Sequence, residues 1–324
     1  MIETRGLRKS FRGRGRAATV EAVRGVDLTV GEGEIFGFLG PNGAGKTTTL
    51  RMLATLLPPD GGEATVAGAD LRTQPGEVRK RIGYVSQGGG VWDDSTAREE
   101  LELQARLYGM TKREARSRAQ AAIQAFQLES FADRRAKTYS GGQRRRVDIA
   151  LGCVHQPRLV FLDEPTTGLD PQSRAHMWDE VRRLREMGMT VFITTHYLDE
   201  ADALCDRLAI MDHGRIVTEG TPAQLKREIA GDVVTLGLNG ASAIARKLLE
   251  GEPYVRGIEP VENTLRLYVD AGAAAIPQIL RRLDDEGIAL RSVELHRPSL
   301  DDVFLAKTGR SLRDEPAATK GGNR

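Results

Sequence analysis

Residues 40–47, Gly40-Pro-Asn-Gly-Ala-Gly45-Lys46-Thr47, have the spacing G-x-x-x-x-G-K-[ST]. A glycine-rich turn of this kind lets successive backbone N–H groups face inward around phosphate oxygens, and a helix starting directly after it adds the positive end of its dipole. The Lys46 ammonium can supply a point charge to the β- and γ-phosphates, and the Thr47 hydroxyl a ligand for Mg2+. Farther along, the apolar run Leu159–Leu162 ends in two adjacent carboxylates, Asp163 and Glu164. One of the pair could hold Mg2+ through water while the other orients or deprotonates an attacking water. Between these motifs, Ser140-Gly-Gly-Gln143 opens a helical segment from about Arg144 to His155, and small residues with free N–H groups at a helix start make a second anion site. Gln87 follows the expected strand Ile82–Ser86, and His196 follows the expected strand Thr190–Thr194.

The elements needed to position these groups are legible around them. Alternating runs near Ile2–Lys9 and Thr19–Val30 predict two strands separated by the basic segment Arg12–Arg16, read as a solvated hairpin tip. Glu34–Leu39 predicts a buried strand and Lys46–Leu57 a helix, so the phosphate loop has the strand-loop-helix context that such a motif requires. From Glu99 to Gln127 the pattern is helical and polar-rich, with Leu101, Leu107, Ala115, Ala122 and Phe126 as an interrupted apolar stripe. Alternation of strand and helix then resumes with Leu159–Leu162, Met177–Met187, Thr190–Thr194 and a hairpin across Asp212-His-Gly214, so a first domain covers about residues 1–230. Beyond it, strands at Asp232–Leu238, Val255–Ile258, Leu265–Val269 and Leu290–Leu295, with helices at Ala241–Leu249 and Ala274–Glu286, give the order β-α-β-β-α-β over residues 231–309. Residues 310–324 have little to bury and are expected to be disordered.

Composition narrows the function classes. The 324 residues carry 47 Lys+Arg against 45 Asp+Glu, a net charge of +2 that gives binding to a nucleic-acid backbone little to work with. Two distant cysteines, Cys153 and Cys205, suit neither a disulfide framework nor a zinc site. No segment approaches the ~20 apolar residues of a membrane span.

Taken in their order and spacing, these motifs resemble the nucleotide-binding subunit of an ATP-binding cassette (ABC) transporter over about residues 1–230. The resemblance implies an α/β fold: a P-loop NTPase domain with a β-rich subdomain, a RecA-like core and a helical subdomain. Residue by residue, it makes Gly40, Pro41, Asn42, Gly43, Ala44, Gly45, Lys46, Thr47 and Thr48 the ATP-binding loop, with Phe11 stacking on adenine. It makes Gln87 the Q-loop glutamine, Ser140, Gly141, Gly142 and Gln143 the signature, Asp170 the D-loop aspartate and His196 the switch histidine. Mg2+ would be held by Thr47, Gln87 and Asp163. Glu164 would act as general base, with Lys46, Gln87 and His196 completing the catalytic set. A head-to-tail homodimer is implied, in which the signature of one chain reaches the γ-phosphate bound by the other. Tyr139 departs from the family's usual Leu, and three arginines, Arg144–Arg146, follow Gln143. The run Gly88–Gly90 predicts a mobile loop after Gln87.

The C-terminal domain, split βαβ (ferredoxin-like) in order, ends in Arg297-Pro-Ser-Leu-Asp-Asp-Val-Phe-Leu305. With the signature region, that ending resembles the daunorubicin-resistance type of exporter ATPase. The resemblance implies a peripheral protein at the cytoplasmic face of the cell membrane. It would pair with a separate ABC-2 type permease that carries a drug, antibiotic or lipid-like cargo, without a nucleic-acid partner. The alternatives are a soluble cassette ATPase outside transport, and the ATPase of an importer.

Overall fold

The computed structural model describes residues 1–12, 19–229, 231–238, 242–261 and 264–309. The chain divides after Thr221 into two compact units, ahead of the boundary near residue 230 expected from the sequence, so the helix Pro222–Ile229 belongs to the second unit. Most of the Arg12–Arg16 segment and all of the tail 310–324 lie outside the described residues.

The first unit runs β1 (Ile2–Phe11), β2 (Val20–Val30), β3 (Ile35–Leu39), α1 (Lys46–Leu53), β4 (Gly61–Val66), β5 (Ala69–Asp70), α2 (Pro75–Arg81) and β6 (Ile82–Val85). It continues with α3 (Ala97–Leu107), α4 (Lys112–Ala125), α5 (Gly141–Cys153), β7 (Leu159–Asp163), α6 (Pro171–Glu186), β8 (Thr190–Thr195), α7 (Leu198–Leu204), β9 (Arg207–Asp212) and β10 (Arg215–Gly220). Two sheets form. In the antiparallel sheet β2-β1-β4-β5, β1 and β2 alternate buried and exposed residues, as strands with one covered face do. The second sheet has the order β10-β9-β3-β8-β7-β6, parallel except for the β9–β10 hairpin. Every residue of β3, β7 and β8 is buried, which is why these strands read as continuous apolar runs. Phe192 of β8 sits among Phe36, Phe38 and Phe161, with ring centroids 5.0 to 5.6 Å away.

The helical stretch expected from Glu99 to Gln127 is two helices. Thr96 and Thr111 each cap a helix start through a reciprocal box with Glu99 and Glu114, and Gly109 breaks the chain between them. Leu107 is exposed rather than part of the apolar stripe. At 100° per residue it lies well off the face shared by the buried Leu101 and Ala105. Cys153 and Cys205 are free and buried, and burial pushes the Cys153 thiol up to about 12, so neither is a ready thiolate.

The second unit runs α8 (Pro222–Ile229), β11 (Asp232–Leu238), α9 (Ser242–Leu249), β12 (Val255–Val261), β13 (Thr264–Val269), α10 (Gly272–Asp285), β14 (Leu290–His296) and α11 (Leu300–Thr308). Its sheet, β12-β13-β11-β14, is antiparallel throughout. Val234, Leu236, Leu265, Leu267 and Val269 face Ala245 and Leu249 of α9 and Ala275, Ile279 and Leu283 of α10 in one core. Between α8 and α11 the order is thus β-α-β-β-α-β. Ser299 and Asp302 form the capping box of α11, which packs on α8.

Candidate active site

Neighbouring parallel strands deliver the polar groups to one edge of the large sheet. The phosphate loop leaves β3, His196 follows β8, Asp163 and Glu164 end β7, and Gln87 follows β6; β3, β8, β7 and β6 are adjacent in that order. The carboxyl ends of parallel strands are where an α/β sheet leaves room for a ligand.

Gly45 begins α1 with φ +105°, and a Cβ there would lie 2.4 Å from the Ala22 carbonyl oxygen, so only glycine lets β2 close on the loop. Asn42 and Gly43 are exposed at the loop tip, while Gly40, Pro41, Ala44 and Gly45 are buried. Lys46 is buried, and its Nζ donates to the carbonyls of Gly40 (2.6 Å) and Pro41 (2.9 Å), which holds the ammonium in the curve of the loop. Thr47 and Thr48 stand half-buried in the first turn of α1. The Thr47 hydroxyl donates to Asp163 Oδ1 at 3.0 Å, and the Thr194 hydroxyl donates to the same oxygen at 2.8 Å.

Glu164 occupies a left-handed backbone position, φ +45°, uncommon for a residue with a side chain and often found where a fold stores strain for function. The position is held from β8, where the Thr194 carbonyl and hydroxyl both accept from Glu164 N at 3.1 Å. Its carboxylate accepts from Gln87 Nε2 (3.0 Å) and Thr167 Oγ1 (3.2 Å), with His196 Nδ1 at 3.5 Å and Lys46 Nζ at 3.9 Å. Burial raises the Glu164 carboxyl, but His196, Lys46 and Thr167 outweigh it and hold the group below the usual glutamate range. Glu164 is therefore a carboxylate at neutral pH, able to accept a proton or orient a water. A hydroxyl and a single carboxylate at Thr47 and Asp163 are hard oxygen donors of the kind Mg2+ takes alongside phosphate and water.

Lys46, Thr47, Gln87, Asp163, Glu164 and His196 are thus brought together. Ser140, Gly141, Gly142, Gln143 and Asp170 stand at helix starts of their own. Ser140 Oγ accepts from Gln143 N, and Gln143 Oε1 accepts from Ser140 N at 3.0 Å, so the two signature side chains cap α5 reciprocally. Asp170 caps α6 through Ser173 N and Oγ. Phe11 is 42% exposed and pairs with Val20, two residues before the Ala22 that abuts Gly45.

Four residues of consequence were given no role by the sequence. Thr167 and Thr194 bond Glu164 and Asp163 directly, as above. Tyr139 uses its hydroxyl: it accepts from Ala97 N and donates toward the Phe131 and Arg134 carbonyls, fixing the start of the signature to α3 and the loop before it. Arg145 reaches inward beneath the site. The one available signal was the arginine run itself, which does not say which member is buried.

Residues 23–167 match the ABC transporter family, and residues 220–308 match the C-terminal domain of ATP-binding protein DrrA1-3-like proteins. The daunorubicin/doxorubicin resistance ATP-binding protein DrrA of Streptomyces peucetius is 46% identical over 318 residues, 97% of this chain and 94% of that protein. The chain belongs to the ABC transporter ATP-binding family. This ABC ATPase is also 35% identical to the linearmycin resistance ATP-binding protein LnrL of Bacillus subtilis, over 97% of its own length and all of that protein. Among solved structures it resembles the dimeric structure of an ATP-binding cassette in a post-hydrolysis state bound to ADP and Pi. That match has a TM-score of 0.61 and 28% identity, and covers 68% of this chain and 98% of the cassette. The ABC ATPase is of the DrrA exporter type, an enzyme that couples ATP hydrolysis to transport.

Proposed function

We propose that this ABC ATPase drives an ABC-2 type permease in the efflux of a drug, antibiotic or lipid-like molecule, working as a homodimer at the cytoplasmic face of the cell membrane. The observation that carries the catalytic part is the meeting at Glu164 of Gln87, His196 and Lys46, groups from separate strand ends. In this reading the loop Gly40–Thr48 and Lys46 bind the phosphates of ATP, and Phe11 stacks on adenine. Thr47, Asp163 and Gln87 hold Mg2+, which neutralises phosphate charge when bound. Glu164 takes the proton of the attacking water, and His196 and Gln87 keep that water and the γ-phosphate in line. The free N–H groups at the start of α5, with Ser140 and Gln143, serve the ATP of the second copy, which fits their place at a helix start of their own. Asp170 shapes the contact between the copies. The domain organisation proposed is a cassette followed by an accessory unit of split βαβ order.

A groove of about 890 Å3 in the first unit supports a protein partner beside the site. It is lined by Leu56, Trp92, Leu103, Leu107 and Tyr108 and by Ser86, next to Gln87; Trp92 is 75% and Leu107 74% exposed. Contiguous exposed apolar side chains mark interaction surfaces. A permease segment seated there would lie one residue from the glutamine that touches Glu164.

The test is ATP-dependent uptake of candidate compounds into inverted vesicles holding this chain and the permease. Uptake is expected with the wild type and absent with Lys46→Ala, while Glu164→Gln keeps ATP binding and accumulates a closed dimer. No association with the permease, or normal hydrolysis by Glu164→Gln, would overturn the reading.

A further inference from the structure

Arg145 and Asp148 lie one turn apart on α5, the helix that begins with the signature, and both are buried, with 6% of each residue exposed. Their guanidinium and carboxylate are only loosely paired, at 3.9 Å. Their closer contacts are to backbone. Arg145 Nη1 donates to the Ser86 carbonyl at 2.6 Å and Nε to the Pro165 carbonyl at 2.9 Å, with Nη2 at 3.5 Å from the Asp163 carbonyl. Asp148 Oδ1 accepts from Gly90 N at 2.8 Å.

Those backbone groups are placed informatively. Ser86 and Gly90 bracket the turn that carries Gln87, at the start of the loop between β6 and α3, and Asp163 and Pro165 flank Glu164. The loop is closed on itself as well, by Gly89 N to the Ser86 carbonyl and Ser86 Oγ to the Gly89 carbonyl. Gly89 has φ +72°, and a Cβ there would lie 2.8 Å from Asp148 Oδ2, so the glycine admits the carboxylate. The run Gly88–Gly90, expected from the sequence to be mobile, thus lies in a turn hydrogen-bonded to α5 at Ser86 and Gly90. Arg144 adds to the seam, donating to Asp93 Oδ1 at 2.6 Å.

We propose that Arg145 and Asp148 are positioning residues that bolt the Gln87 loop and the backbone around Glu164 to the signature helix, so that Gln87 is held against the Glu164 carboxylate. An ion pair serving stability alone would bring guanidinium and carboxylate together. Here each instead presents the one hydrogen-bond role its backbone partner needs, a donor to carbonyls and an acceptor to an N–H. Burial raises the Asp148 carboxyl, partly offset by Gly90 N and Arg145, and lowers Arg145, which marks both groups as withdrawn from water for these contacts. In a dimer whose signature serves the opposite ATP, such a bolt ties the hydrolytic groups of one nucleotide to the anion site of the other. This step rests on the roles proposed above for Gln87 and Ser140.

The test uses the full chain and two readouts: steady-state ATP hydrolysis and amide hydrogen exchange. Asp148→Ala and Arg145→Gln are expected to lower kcat by about ten-fold or more while KM for ATP changes less than about two-fold, since geometry rather than binding is lost. Exchange should rise across residues 86–91 and stay at the wild-type level in the second half of α5. Asp148→Asn, which keeps an acceptor for Gly90 N, should restore most of kcat. Gly89→Ala, which leaves both charged residues in place but pushes the carboxylate away, should reproduce the loss. Equal rises in exchange along α5 and the loop would reduce the pair to a fold-stabilising contact and overturn the proposal. So would a faster-exchanging loop with kcat intact. Gln87→Ala separates the two readings: normal hydrolysis there sinks the assigned role of Gln87, whereas impaired hydrolysis there with normal Arg145→Gln sinks the bolt alone.

Discussion

At the scale of single residues, the site is a set of charges held in opposite ways. Glu164 is kept ionised by cationic neighbours, whereas Glu200, on the helix after His196, is fully buried and raised by that burial. Trp178 Nε1 donates to its Oε1 at 3.3 Å, while Oε2 has no hydrogen-bond partner of good geometry. A carboxyl raised in the folded state contributes most stability below its unfolded pKa and loses that contribution as pH rises through the folded value. Glu200→Gln removes this loss, so its Tm relative to wild type should climb as pH rises above the ordinary glutamate range, as read by differential scanning calorimetry. A difference that is flat with pH would mean that Glu200 titrates normally. Glu164 has the opposite sign: its depressed pKa in the free enzyme should place the acid limb of ATP hydrolysis below the ordinary glutamate range, measurable as the pH profile of kcat/KM.

At the scale of elements, adjacent parallel strands end in chemistry, and their precision depends on how firmly the sheet is packed. Phe192 is the hub of that packing, touching Phe36, Phe38 and Phe161 from the strand that also supplies Thr194. Phe192→Ala should cost about 3–5 kcal/mol, by analogy with other buried aromatic truncations, seen as a lower urea midpoint for the first unit. A cost near zero would mean that the aromatic cluster is not what fixes β8. The burial of β3, β7 and β8 on both faces was implicit in their apolar runs, because a strand covered on both faces needs no polar alternation. The break between α3 and α4 was also available, in the two capping boxes and Gly109, but the polar composition of the stretch obscured its periodicity.

At the scale of the whole molecule, the groove beside the Gln87 loop is the docking surface proposed for the permease. Trp92→Glu should leave ATP hydrolysis by the chain alone unchanged and weaken its association with the permease by about ten-fold or more, since buried aromatic anchors dominate such interfaces. Pull-down from detergent extracts beside an ATPase assay checks both halves. Unchanged association would move the docking surface elsewhere. The second unit has its own core and cap, which is why its β-α-β-β-α-β order could be read apart from the cassette.

What the sequence alone determined was everything governed by near neighbours along the chain. The phosphate loop, the Asp163-Glu164 pair at a strand end, the capped signature helix and the alternation of elements all follow from residues within a turn or a strand of one another. The roles given to Gln87 and His196 came with the family resemblance rather than from their own surroundings. Only the tertiary structure decided what stands against Glu164, since Gln87 is 77 positions away and meets it through strand order. It also decided that the glycine-rich loop hydrogen-bonds to Asp148 and that Arg145, of three successive arginines, turns inward. The partners of Arg145 are main-chain carbonyls, and those of Asp148 and Gly45 are a main-chain N–H and a carbonyl. Every residue type offers such groups alike, so their positions have no letter in the sequence and exist only once the chain has folded.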